Sequence, residues 1–104
     1  MNGRIFQFEW DEVKANANVR KHSVSFELAR TVFNDPRLLT VADLEHSESE
    51  ERWFSIGYAT NGSILVLIYL WSHAHTAVTK IRLISLISAH NATQTEIRYY
   101  QEGL

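Results

Sequence analysis

Hydrophobic and polar positions alternate first in Arg4 to Glu9, where Ile5, Phe6 and Phe8 mark a short strand. The pattern then changes. In "WDEVKANANVRKH", Asp11 is placed to cap a helix and Glu12 puts negative charge in its first turn, where the helix dipole favours it. Its apolar stripe is thin, Val13 and Ala17, which predicts light packing. "SVSFELARTVF" predicts a second helix, capped by Ser25, with Phe26, Ala29 and Phe33 on one face and Leu28 and Val32 beside them. "NDPR" ends it, because Pro36 pushes Asp35 out of helical conformation.

The middle of the chain reads as β. Leu38 to Val41 is a short strand, and Asp43 to Glu51 a polar, acidic connection. Arg52 to Tyr58 alternates, Asn61-Gly62 is a strong hairpin signal, and Ile64 to Trp71 is the expected antiparallel partner. That strand is apolar on both faces, so it belongs in the centre of a covered sheet. After "SHAHTAVT" a last strand runs from Lys80 to about Ala89, and Thr93-Gln94-Thr95-Glu96 forms a capping box that opens a final helix to about Gln101. The expected fold is α+β, in the order β-α-α-β-β-β-β-α. It has a small, twisted, mainly antiparallel sheet with helices packed on one face. The strands from Arg52, Ile64 and Lys80 should form a consecutive meander, with Phe26, Phe33, Phe54, Ile56, Val66, Ile68 and Leu83 buried.

With 104 residues and 45% apolar composition, the chain suits one domain with one core. A formal charge of −2 announces no whole-molecule field for nucleic acid, so such a role needs a local patch. There is no cysteine, which excludes disulfides and thiolate zinc sites. The start, "MNGRIFQFEW", lacks a signal-peptide layout, and the longest apolar run, Ile64 to Trp71, is far too short to span a bilayer. A cytoplasmic protein without membrane contact is expected.

Groups able to do chemistry are His22, the Glu45-His46 pair, Arg52, Lys80, Arg82, His90 and Glu96. Cleaving RNA through its own 2′-hydroxyl takes a base, an acid and a cation for charge growing on phosphate, and this set supplies all three. Chance surfaces do so too. Lys21-His22 falls at a helix C-terminus, where cations are favoured without any function. The acidic run from Asp43 to Glu51 reads as a solvated connection, or as a dock for a basic partner segment. His73 and His75 have chelating spacing but no evident third ligand, so neither metal nor cofactor is expected. Asn61-Gly62-Ser63 and Asn91-Ala92-Thr93 match the glycosylation pattern by chance. Of Tyr99 and Tyr100, at least one should join the core.

Three stretches carry a family resemblance: "FEWDEVKANANVRKHSVSFELARTVFNDP", "LTVADLEHSESEERWFSIGY" and "ISAHNATQTEIRYYQEG". In this order and spacing they resemble the BrnT toxins over about nine-tenths of the chain. The resemblance implies a RelE-like fold and a metal-independent endoribonuclease that arrests translation. It also implies a BrnA-like antitoxin partner that neutralises the toxin and carries the complex to operator DNA. Lys21, His22, Arg52 and Glu96 stand where the family has the same residues. By the same resemblance His22, Arg52 and Glu96 are candidate catalytic residues and Lys21 a candidate RNA contact; by residue type Arg82 and His90 join the catalytic candidates, and Lys80 and Arg98 the RNA contacts.

The chain departs from the family at one informative place. The last strand usually ends Ile-Ser-Ala-Arg, whereas here it ends Ile87-Ser88-Ala89-His90, and the following helix is less basic than is common. Lys80 and Arg82 match the family's basic position only if one copy of the doubled "LIS" is an insertion. An odd insertion reverses the faces of upstream side chains unless a bulge restores register. Arg82 and His90 are also about 26 Å apart along a straight strand, too far to share a phosphate. The sequence therefore leaves three readings: a weakened nuclease, a degenerate member that binds antitoxin as co-repressor or decoy, and a small binding module unrelated to RNA.

Overall fold

The computed structural model describes residues 4–43, 51–75 and 80–103, with side chains for 6–43, 51–72 and 83–103. The elements are β1 (Arg4–Glu9), α1 (Glu12–His22), α2 (Phe26–Ala29), β2 (Leu39–Ala42), β3 (Arg52–Tyr58), β4 (Ile64–His75), β5 (Lys80–Asn91) and α3 (Gln94–Glu102). Their order agrees with the sequence reading. The second helix is only one α turn, continued as a tighter 3-10 turn over Arg30–Asn34. The acidic connection, including Glu45 and His46, lies mostly outside the described residues.

One five-stranded sheet has the order β1-β5-β4-β3-β2. The expected meander is present: β2, β3, β4 and β5 pair antiparallel with their sequence neighbours. Gly62, at a φ of 87°, makes the β3–β4 turn that Asn61-Gly62 announced. The sheet is nevertheless mixed, because β1 pairs parallel with β5, from Arg4 opposite Lys80 to Glu9 opposite Ser85. Local patterning does not encode that pairing. β4 also runs on through His75, where the sequence suggested a loop after Trp71.

Register and burial define two faces. Leu65, Leu67 and Tyr69 of β4 share one face with Ile84, Leu86 and Ala89 of β5, and all six are buried together with Phe26, Ala29 and Val32. On the other face, Tyr58 packs its ring on Tyr100 of α3, and His90 meets Glu96 of the same helix. The helices therefore do not all lie on one face. α3 closes part of the second face, where Ile56 and Val66 are also buried.

Of the seven residues expected in the core, Phe26, Ile56 and Val66 are buried, and Phe33, Phe54, Ile68 and Leu83 are half-buried. α1 corrects a second expectation. Val13 is 74% exposed and Ala17 is exposed, and the helix instead buries Ala15 and Asn18. Neither C-terminal tyrosine is core: Tyr99 is exposed and Tyr100 half-buried.

Gly57 is required by close approach. A Cβ there would stand 2.9 Å from Leu38 Cδ1 and 3.2 Å from Asp35 Oδ2, where the chain after the 3-10 turn closes on β3. Ser23 ends α1 in the left-handed region, at a φ of 59°, its N–H bonded to Val19 O. A residue with a Cβ is strained there, by about 1–2 kcal/mol. Ser23→Gly should therefore stabilise the domain by about 1 kcal/mol, read as a rise in Tm of about 4–8 °C.

Candidate functional site

Three elements deliver His22, His90 and Glu96 to one place. His22 is the last residue of α1, which Asp11 starts by accepting from Val13 N–H and left-handed Ser23 stops. His90 is near the end of β5, where the strand carries a bulge. Ile68 opposes Ser88 and Tyr69 opposes Leu86, so Ile87 has no opposite residue. Without that extra residue His90 would share the face of Ile84 and Leu86, beneath α1 and α2. The bulge turns it to the face of Val66 and α3. The doubled "LIS" thus contains the irregularity that its odd length called for.

Glu96 is fixed by the capping box foreseen from the sequence. Thr93 N–H donates to Glu96 Oε1 at 2.8 Å, and Glu96 N–H donates to Thr93 Oγ1 at 3.2 Å. The same carboxylate holds His90, whose Nε2 lies 3.0 Å from Oε1 and 3.1 Å from Oε2. The His22 ring is the next neighbour, its centroid 5.9 Å from that of His90. Burial pulls the Glu96 carboxyl up, but the Thr93 N–H and the His90 ring outweigh it and hold it below the ordinary carboxylate range. Near neutral pH it is an anion facing an imidazole. With His90 Nε2–H donating to that anion, Nδ1 is left as the proton acceptor. The arrangement is a carboxylate-oriented histidine beside a second histidine, suited to acid–base work. The start of α3 offers little to a phosphate, since Glu96 already brings its own negative charge there.

Comparison with known proteins bears on the family and the fold. Residues 10–96 match the family described as "Ribonuclease toxin, BrnT, of type II toxin-antitoxin system". The chain belongs to the BrnT family. The fold also resembles the crystal structure of the Brucella abortus ribonuclease toxin BrnT, with a TM-score of 0.51 and 20% identity, covering 88% of this chain and 97% of that one. No curated protein matches by sequence.

In this BrnT-family chain Arg52, Lys80 and Arg82 stand apart from the histidine pair. Arg52 opposes Leu70 across β3–β4, whereas His90 opposes Val66, which puts their Cα atoms roughly 16 Å apart by strand geometry. Its Nε is 3.5 Å from Asp43 Oδ2. Lys80 and Arg82 are at the opposite end of β5, with Arg82 between Phe6 of β1 and His73 of β4. From there Arg82 is roughly 24 Å from His90. The side chains of Lys80, Arg82, His73 and His75 lie outside the described set. Lys21 is exposed next to His22, and Arg98 is exposed on α3. Among the described residues no three His, Asp or Glu side chains converge as a metal site, and no helix is long and apolar enough to cross a membrane.

Sequence reasoning missed Asp35, which fastens α3 to the sheet of this BrnT-family fold. Its Oδ2 accepts from Tyr58 N–H at 2.8 Å and from the Tyr100 hydroxyl at 2.6 Å, and its Oδ1 accepts from Arg37 N–H at 2.9 Å. An open cleft of about 790 Å³ lies here, lined by these groups and Glu102. Burial raises the Asp35 carboxyl, but the three donors prevail and lower it. Burial and the Asp35 anion push Tyr100 up to about 12. A phenol with a raised folded pKa contributes stability that is whole below its unfolded value, about 10, and is lost as pH rises through 12. Tyr100→Phe should therefore be less stable than wild type at pH 8, and the difference should shrink steadily as pH rises from 10 to 12. A difference constant across that window in urea titrations would rule out the linkage.

Proposed function

We propose that this chain is the toxin of a BrnT/BrnA-type toxin–antitoxin system, a metal-independent, RelE-like endoribonuclease that arrests translation. One observation carries the reading: His90, held by Glu96, beside His22. One imidazole takes the proton from the attacking 2′-hydroxyl while the other donates a proton to the leaving 5′-oxygen, and no metal is needed for either transfer. Lys21 supplies nearby positive charge. Arg52, Lys80, Arg82 and Arg98 are then contacts along the RNA backbone away from the cleaved bond. Family membership implies an antitoxin partner. A BrnA-like protein is the proposed one, covering this surface and carrying the complex to operator DNA in the cytoplasm.

A second reading is favoured by the 16 Å that roughly separate Arg52 from His90. With Arg52 that far from the pair, charge on the phosphate is poorly met, as expected of a degenerate member that only binds antitoxin and acts as co-repressor or decoy. Expressing the chain alone in bacteria separates the two. Growth arrest with RNA cleavage, relieved by co-expressed antitoxin and absent in His22→Gln, supports the nuclease. Antitoxin binding without arrest or cleavage supports the degenerate member.

A further inference from the structure

We infer that Asn18 is a positioning residue: its side-chain amide sets the spacing between His22 and His90. Asn18 is in the middle of α1, where asparagine is a poor helix former, and it is 5% exposed. A polar group so placed must be fully bonded. Its Nδ2 donates to Val24 O and to Ala89 O, both at 2.9 Å, and its Oδ1 accepts from Ala89 N–H at 3.1 Å. Only one orientation of the amide satisfies two carbonyls and one N–H, so oxygen and nitrogen are assigned by the network itself.

Each bond falls beside a histidine. The partner of β5 on its outer side, β1, ends at Glu9 opposite Ser85, which leaves the β5 edge beyond Ser85 without a strand among the described residues. Asn18 takes the place of that strand at Ala89, bonding both backbone groups of the residue that precedes His90. On its own helix it stands one turn before His22, on the same side. Its bond to Val24 O fixes the chain just past the left-handed Ser23 where α1 stops. One side chain therefore joins the end of α1 to the end of β5. Thr93 and Glu96 locate His90 relative to α3, but neither bonds to α1.

This inference deepens the two-histidine reading, and its test has one arm that does not need RNA. In wild type, ring protons of His22 and His90 should show a nuclear Overhauser contact, as should Tyr58 and Tyr100. In Asn18→Ala the first contact should be lost and the second kept. Asn18→Asp, which retains the acceptor for Ala89 N–H but loses both donors, should behave alike and decides the matter if the alanine variant does not fold. Val41→Ala, on β2 at the far side of the sheet, is the stability control and should keep both contacts. In the RNA arm, Asn18→Ala should lower kcat about tenfold or more with KM changed by less than about twofold. In a His22→Gln background it should cause no further loss, since its effect runs through the pair. Persistence of the His22–His90 contact in the folded variants, or its absence from wild type, would overturn the inference. Loss of that contact with cleavage unchanged would instead uphold the positioning role and refute the histidine pair as the catalytic unit.

Discussion

His90→Ala is expected to lower RNA cleavage by about 10²- to 10⁴-fold, the usual worth of a general acid or base, while leaving the domain folded. The fold should survive because the His90 side chain is 26% exposed and its strand is held by backbone pairing to Val66. His90→Arg is the informative companion. Arginine can keep an ion pair with Glu96 and adds a permanent charge with a two-pronged phosphate grip, but it transfers no proton near pH 7. RNA affinity should therefore rise. Cleavage should rise with it only if charge neutralisation, and not proton transfer, limits this chain. The comparison needs matched salt, since phosphate contacts weaken steeply with it. Equal rates for wild type and both variants would make His90 a mere strand-end residue and hand its role to His22, Arg52 or Arg82.

The parts of this fold that could be read in advance are those encoded by neighbours in sequence. Asp11, Ser25 and Thr93 cap the helices they were expected to cap, and Asn61-Gly62 turns the hairpin, because each acts within four residues of itself. What escaped was non-local. β1 pairs with a strand more than seventy residues away, and its alternation names no partner or direction. Asn18 looked like one more polar position in a weak amphipathic pattern. Its burial makes sense only once the bare edge of β5 lies alongside, with bonds that span 71 residues.

The candidate site divides along the same line. Glu96 was visible through its capping box, and His22 through residue type and resemblance, although its place at a helix end argued for a structural role. The pairing of Glu96 with His90 depends on the bulge at Ile87, at which the doubled "LIS" only hinted. Arg52, Lys80 and Arg82 entered through residue type and resemblance, and strand register keeps them away from His90.

Phe26→Ala should be the most damaging single truncation in the core, and Phe33→Ala a clearly smaller one despite the same chemistry. Phe26 has 0% exposure and meets Trp10 edge-on at 5.8 Å, so its removal leaves a cavity worth about 3–5 kcal/mol. That is a large fraction of the roughly 5–15 kcal/mol that holds such a domain together. Phe33 is half-buried and can be replaced in part by water, so about 2–3 kcal/mol is expected. Its loss has a local consequence that Phe26 does not share. Phe33 bridges Tyr69 in the core at 5.5 Å to Phe8 at 5.2 Å and Phe6 at 5.9 Å on β1, an edge strand with Phe6 already 42% exposed. Hydrogen exchange in Phe33→Ala should therefore quicken first in β1, ahead of β3 and β4, whereas Phe26→Ala should lower protection throughout. Urea unfolding of the two variants gives the order of stability, and Phe33→Ala proving the weaker protein would reverse the argument. Because β1 leads directly into α1, a loosened β1 also frees the helix that ends in His22. Phe33→Ala should then weaken RNA cleavage by more than its fraction unfolded accounts for.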